Sequence, residues 1–383
     1  MDELAQSIQP KERLYSNGCR DLSCKLCTKL SYRDAAEMLN RFQHRDASQT
    51  MKLRTLSDCM ERMGSQISEE LEKTTGSVLK MYGLDTETGL PVEGVCLSPS
   101  ITDPIIPEKT EADIQAVSSV IDAANMFRDE KIPFTAGELD IESPSSECVY
   151  VSIDDIGVKH QKDSRDPNAA KGAKYVENTV IHIQNGQEAY VLTACGMKKA
   201  MRSMLAFLIF NGLLRNRLVF FTDGARNIKN SIEEMFAFHP YTVILDWYHL
   251  KKKCQELLSM AVKGKDARNK TLEKLLRILW VGDVKGAISY LEGLPSSMIK
   301  NPKWLEEQIN YLKRKENSIA CYAARAGLGL RNSSNPVEKA NDILVAQRQK
   351  HNGMSWSKDG SSALAAIEMV YQNGYEDTWF NRT

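Results

Sequence analysis

The sequence predicts an α/β protein built on a mixed sheet. Between Cys148 and His249, short apolar runs of strand type alternate with runs of helical spacing. The Asn185-Gly186 pair separates two strand-type runs by a tight-turn signal. Three of the strand-type runs stop at or beside a carboxylate, Asp154, Asp223 and Asp246.

The elements of this stretch follow in order. Cys148–Ile153, Thr179–Gln184 and Ala189–Thr193 read as strands, and Met197–Leu214 as a helix. Leu218–Thr222 is a buried-type strand, Ala225–Phe238 an amphipathic helix, Tyr241–Leu245 a further strand, and Trp247–Met260 a helix. The order β-β-β-α-β-α-β-α is the ribonuclease H-like arrangement, in which an antiparallel hairpin sheet continues into a parallel one.

Around this core (148–260) the chain divides by composition. Residues 1–75 read as short helices: SYRDAAEMLNRF with Ser31 as its cap, then MKLRTLSDCMERMGSQI with Thr55 or Ser57 as its cap. Helix, polar break and helix fit a helix-turn-helix reader of DNA, or equally a small packing bundle. Eleven bases stand against seven acids over Pro10–Arg62. Residues 76–147 are rich in Thr, Pro and Gly and predict an acidic linker or extended region with one helix near Glu111–Arg128, facing solvent. Residues 261–330 predict an all-helical, basic insertion. Residues 331–383 open on a helix with Asn335 as cap, Pro336 at its first position and Glu338 three after the cap. A last helix covers Gly360–Tyr371.

The length of 383 residues suits two or three domains. With 42% hydrophobic and 26% charged residues, the profile is that of a globular protein. No apolar run is long enough to span a membrane, and the opening MDELAQSIQPKERLY is not a secretory leader. The nine cysteines lack a paired framework, which fits reduced thiols in the cytoplasm. Cys19, Cys24 and Cys27 contain one C-x-x-C pair; a zinc site would need Cys59 or His44 as a fourth ligand, the alternative being half-buried thiols on a helix. The formal charge is zero but uneven. Asp85–Glu147 holds fourteen acids and three bases, whereas Leu250–Trp280 holds nine bases and three acids. The second stretch suits a polyanion, or a solvated helix face.

The chemistry is read from the acids. Adjacent strand ends bring carboxylates together, and a pair of Mg2+ ions about 3.5–4 Å apart is the usual device for phosphoryl transfer on oxygen ligands. The first and fourth strands are neighbours in this arrangement, so Asp154 and Asp223 converge, and Glu338 from the later helix completes the set. Each has a plainer reading: Asp223-Gly224 as a turn, Glu338 as half of a capping box. Asp154 and Asp155 point to opposite faces, and Asp154 is taken as the ligand. His249, three after Asp246, would orient a phosphate or a carboxylate, or be a first-turn histidine of a buried helix. Lys251, Lys252 and Lys253, with Arg331, Arg348 and Lys350, are candidate contacts to a DNA backbone.

At these residues the chain resembles the bacterial insertion-sequence DDE transposases of the ISLre type, in the Mutator-like group. SIDDIGVKHQK resembles the first-Asp block, FFTDGARN the second, and RNSSNPVEKANDILVAQRQKHNGMSWS the Glu block. Asp246-Trp-Tyr-His249 resembles the group's [C/D]-x-x-H signature. The resemblance covers residues 148–383 well and SYRDAAEMLNRF less so. It implies a catalytic triad of Asp154, Asp223 and Glu338 holding two Mg2+ or Mn2+ ions, with Asp155, Asp246 and His249 auxiliary. It implies DNA cleavage to free a 3′-OH and strand transfer into target DNA, on transposon terminal repeats, by a homodimer or larger assembly at the nucleoid, with no membrane partner. Two other readings are a catalytically silent DNA-binding relative and a ribonuclease H-like nuclease or resolvase.

Overall fold

The computed structural model describes residues 16–42, 51–127, 131–142, 147–161, 173–351 and 353–380. His44 and the polar break around it lie outside these. At its centre are five strands: β1 (Cys148–Lys159), β2 (Tyr175–Asn185), β3 (Glu188–Cys195), β4 (Arg217–Thr222) and β5 (Tyr241–Leu245). Their spatial order is β3-β2-β1-β4-β5. The first three pair antiparallel, and β1–β4 and β4–β5 pair parallel. This is consistent with the expected ribonuclease H-like order, with β1 and β4 adjacent. Asn185 and Glu188 face each other across a two-residue turn that uses Gly186 at φ +58°, a conformation open to glycine.

One boundary differs in a way that matters. β1 does not stop at Ile153. Its antiparallel ladder with β2 runs on to Lys159↔Tyr175, while its parallel ladder with β4 ends at Ser152↔Phe221. Asp154 is therefore inside a strand, but two residues past the last rung shared with β4. The hairpin partner supports the extra residues, which run length alone does not reveal.

The N-terminal helices are α1 (Asn17–Lys29), α2 (Tyr32–Phe42) and α3 (Leu53–Met81). Ser31 caps α2 as expected, accepting the Asp34 N–H. Thr55 and Ser57 do not cap α3: the helix begins earlier, at Leu53, and Ser57 donates back to the Arg54 carbonyl. The helix also continues through TTGSVLKM, which composition had assigned to linker. Burial of Leu56, Met60, Ile67, Thr75, Val78 and Leu79 keeps one face packed and overrides the low helix propensity of the Thr-Thr-Gly sequence. At Gly64 an added Cβ would overlap Ala363. The three helices share one apolar cluster with the sheet and the C-terminal helices. The inner faces of these helices are thus spent on packing.

The acidic segment is more ordered than expected. It holds a turn at Pro99–Thr102 and α4 (Glu111–Asn125), closed by a capping box between Thr110 and Asp113. Glu142 does not face solvent: it is buried and paired with Arg325 at 2.5 Å.

The helices α5 (Met197–Phe210), α6 (Arg226–Met235) and α7 (Trp247–Ala261) alternate with the later strands. The insertion is helical as expected: α8 (Lys265–Trp280), α9 (Val284–Glu292), α10 (Pro302–Lys315) and α11 (Tyr322–Gly327). Its apolar residues join Val219, Phe221, Ile244 and Leu245 of the sheet in a second cluster. The chain ends in α12 (Asn335–Asn341), a π-helical turn at Asp342–Ala346, α13 (Lys358–Gln372) and α14 (Glu376–Phe380). Asn335 lies inside α12 rather than at its cap, Ser334 taking that place without accepting a helix N–H through its side chain.

Candidate active site

Strand register decides which acids share a face. Ser152 pairs with Phe221, so two residues on, Asp154 and Asp223 fall in the same row and on the same side of the sheet. Phe221 on that side packs with the insertion's cluster, and α12 lies against β1 and β2. Asp155 takes the other side. Its two oxygens accept from Thr179 Oγ1 at 2.5 Å and from Asn227 Nδ2 of α6 at 2.9 Å. The neighbouring carboxylates are thus separated by alternation, and only Asp154 joins Asp223.

Asp154 is largely withdrawn from water. Its Oδ1 accepts the Asp155 N–H at 2.9 Å, and its Oδ2 accepts from Asn341 Nδ2 at 2.6 Å. Burial first, and the charge of Asp223 second, push its pKa from 3.8 up to about 6. Asp223 accepts the Ala225 N–H at 2.7 Å through Oδ1, the bond of an Asx turn. The turn reading and the site reading therefore both hold, because the turn is what aims the carboxylate.

Asp246 is fully buried and holds two segments at once. Its Oδ1 accepts the His249 N–H at 2.9 Å, capping α7, and contacts His249 Nδ1 at 3.1 Å. Its Oδ2 accepts the Ser334 N–H at 2.6 Å and the Ser334 hydroxyl at 3.1 Å. Burial disfavours its charge, but these bonds outweigh that and hold its pKa below the usual value. Asp246 is thus a clamp joining the start of α7 to the start of α12. The His249 pKa is raised, chiefly by the hydrogen bond to Asp246, against burial, with Asp223 and Glu338 adding to it. Glu338 Oε1 lies 3.9 Å from His249 Nε2, and its side chain is 47% exposed. It makes no bond of capping-box type.

The five expected residues therefore gather in one place, in the sequence Asp154–Asp223–His249, with Asp246 and Glu338 around the imidazole. They do not yet form a ligand set: among the described residues no three His, Cys, Asp or Glu side chains lie close enough to hold a metal ion. As a test of fit, the pair Asp154–Asp223 offers hard oxygen donors whose mutual repulsion a divalent cation would relieve. Asn341 beside it keeps a buried Oδ1 without a hydrogen bond. Glu338 does not meet the pair, being turned to His249. Among the described residues the cysteines gather no zinc-ligand set, and burial raises the pKa of Cys24 and Cys27, which disfavours the thiolate that zinc needs.

The expected DNA contacts divide. Lys251, Lys252, Lys253 and Lys350 are exposed. Arg348 is not available: it is 3% exposed, donates to the Cys27 carbonyl at 2.9 Å and lies over the rings of Tyr32 and Trp356. Arg331 is likewise turned inward, over Tyr150 and Phe221 and bonded to Gln184. Sequence reasoning missed Asn341, Asn227, Ser334 and Lys315. Asn341 alone carried a signal, standing one helical turn after Glu338. A polar groove of about 800 Å³ between α3, β3 and α13, lined by Glu72, Lys73, Lys199, Arg202 and Asp359, contains none of Asp154, Asp223, Asp246 and Glu338.

No family model matches this sequence, and no curated protein matches it. Among solved structures, the chain is similar to the Drosophila P element transposase strand transfer complex, at 9% identity and a TM-score of 0.29, over 98% of this chain and 86% of that one. A likeness of that size carries no argument, so the functional reading rests on the side chains.

Proposed function

We propose that the protein is a DDE transposase with a ribonuclease H-like core, cutting DNA to free a 3′-OH and joining that end to target DNA. The observation that carries the reading is the half-buried pair Asp154–Asp223 on one face of the sheet, with the helix of Glu338 and the His249 ring beside it. Bound divalent metal would supply an activated oxygen nucleophile and stabilise the leaving oxygen. Asp154 and Asp223 would hold it. Asn341 positions Asp154, the turn at Gly224 positions Asp223, and Asp246 keeps His249 and the Glu338 helix in mutual register. His249, held toward its charged form, is suited to bind a phosphate oxygen. Exposed Lys251, Lys252, Lys253 and Lys350 would contact the DNA backbone, which gives affinity without sequence information.

One observation favours a second reading, a silent DNA-binding relative: Glu338 stands at His249 and away from the carboxylate pair. A nicking assay on duplex DNA carrying the sequences that flank the protein's own gene, with and without Mn2+, separates the two. Wild type cuts only with metal. Asp223→Ala binds the same DNA but cuts at least about a hundredfold more slowly, as expected of lost metal ligation; Glu338→Gln matches it only if Glu338 turns from His249 to the pair when metal binds. Glu338→Gln keeps the wild-type Tm, since the carboxylate is half exposed and caps nothing. Binding without metal-dependent cutting by the wild type leaves the silent reading standing.

A further inference from the structure

Lys315 ends α10 of the insertion, 92 residues beyond Asp223 in sequence, yet it reaches the active-site turn. Its Nζ donates to the Gly224 carbonyl at 2.6 Å, one residue from Asp223. Its Cε lies 3.4 Å from where a Cβ on Gly224 would stand, in contact distance, so the lysine packs against the turn. Basic residues at a helix C-terminus are common because they complement the helix dipole. Lys315 departs from that pattern: its hydrogen bond goes to the β4–α6 turn and not to the end of its own helix.

Two other cations share the neighbourhood. Lys229 of α6 faces Glu233 at 3.4 Å, and Arg314 pairs with Glu307 at 2.6 Å. Lys315 makes no ion pair among the described residues, and its side chain is half-buried. Burial and Lys229 lower its pKa, Asp223 raises it, and Arg314 lowers it again. An ammonium has three donors, and the Gly224 carbonyl takes one. The remaining donors sit beside a carboxylate but within 4 Å of none, as a site for an anion that enters with the ligand would require.

We propose that Lys315 binds a backbone phosphate of the DNA strand lying across Asp154 and Asp223, so that the helical insertion contributes a substrate contact to the active site. This rests on the reading of the protein as a DNA-processing enzyme. It also accounts for the half-burial of a cation with no acidic partner.

The test separates charge from hydrogen bonding. Lys315→Gln keeps a donor for the Gly224 carbonyl but has no charge; Lys315→Arg keeps the charge. Affinity for a 40-base-pair duplex of mixed sequence is measured in EDTA from 50 to 200 mM salt, with Tm recorded for each protein. Losing one phosphate contact lowers the slope of log affinity against log salt by about 0.9. The gap between wild type and Lys315→Gln should therefore shrink about 3.5-fold across that fourfold range. Lys315→Arg should restore the wild-type slope. A Lys315→Gln protein with the wild-type slope overturns the proposal, whatever its Tm, and leaves Lys315 as a brace for the turn. A wild type that does not bind the duplex at all removes this proposal together with the reading beneath it.

Discussion

Two helical regions flank the sheet, and both look basic in sequence. They differ in how much of that charge is spent inside the molecule. In the N-terminal helices, Lys29 pairs with buried Glu368 at 2.6 Å, and Lys25 sits over the Tyr371 ring at 4.0 Å. From the other side Arg348 is drawn in to the Cys27 carbonyl. At the insertion end, Lys251, Lys252 and Lys253 stay exposed along α7, and Lys253 reaches only a weak partner, Glu256 at 3.5 Å. The difference follows from where each region buries its apolar face. Cys24, Cys27, Ala35, Leu39 and Leu56 belong to the same cluster as the sheet, so their helices are pressed onto the core and Lys25 and Lys29 find partners there, while Arg33, Arg41, Lys52 and Arg54 stay exposed. Leu250, Cys254, Leu257 and Leu258 of α7 pack with the insertion and with Phe221 and Leu245 of the sheet in a second cluster, and Lys251, Lys252 and Lys253 fall on the outer face of the helix. Counting bases along the chain does not tell a usable basic surface from an internally consumed one.

The sharpest way to break this comparison is to neutralise the exposed lysines. Replacing Lys251, Lys252 and Lys253 together by Gln should lower the salt slope of DNA binding by about 2.7 if each meets one phosphate. The affinity gap to wild type then narrows about fortyfold between 50 and 200 mM salt, while Tm hardly moves. An unchanged slope would show that the outer face of α7 is not the one that meets DNA.

The opposite region predicts the opposite phenotype. Gly64→Ala forces a methyl group into Ala363, where α3 crosses α13. It should cost about 1–3 kcal/mol of stability, the usual range for overpacking, and leave the salt slope at its wild-type value. Denaturant unfolding measures the first and the binding titration the second. A fully stable Gly64→Ala protein would mean that the N-terminal helices do not dock as described.

The smallest effect has the reverse sign. The raised Asp154 pKa means that the fold prefers its neutral form, so its contribution to stability is present below the unfolded value near 3.8 and is lost as pH rises through about 6. Asp154→Asn should therefore stabilise the metal-free protein at pH 7.5, by about 1–2 kcal/mol, and do nothing at pH 3.5. Thermal melts in EDTA at the two pH values check it. A variant that is less stable at pH 7.5 would show that Asp154 is not held against its charge.

Much of this was legible in the chain. Apolar runs of strand type located all five strands, though only the first half of β1, and Asn185-Gly186 placed the hairpin turn, because strand pattern and turn chemistry act over a few residues. The same alternation separated Asp154 from Asp155. The cap at Ser31 followed from local chemistry too. Where local signals competed with distant packing they misled: the Thr-Thr-Gly of α3 reads as linker until α13 is laid against it, and Asn335 reads as a cap until Asp246 takes hold of Ser334.

The sequence by itself determined the sheet, its acids and their faces, since these depend on a period of two along each strand. Only the tertiary structure decided which cations remain available, that Asn341 holds Asp154, that Glu338 rests against His249, and that Lys315 arrives beside Gly224. Those facts depend on contacts between residues tens to hundreds of positions apart, set by how whole helices bury their apolar faces, and no short window of the chain carries that information.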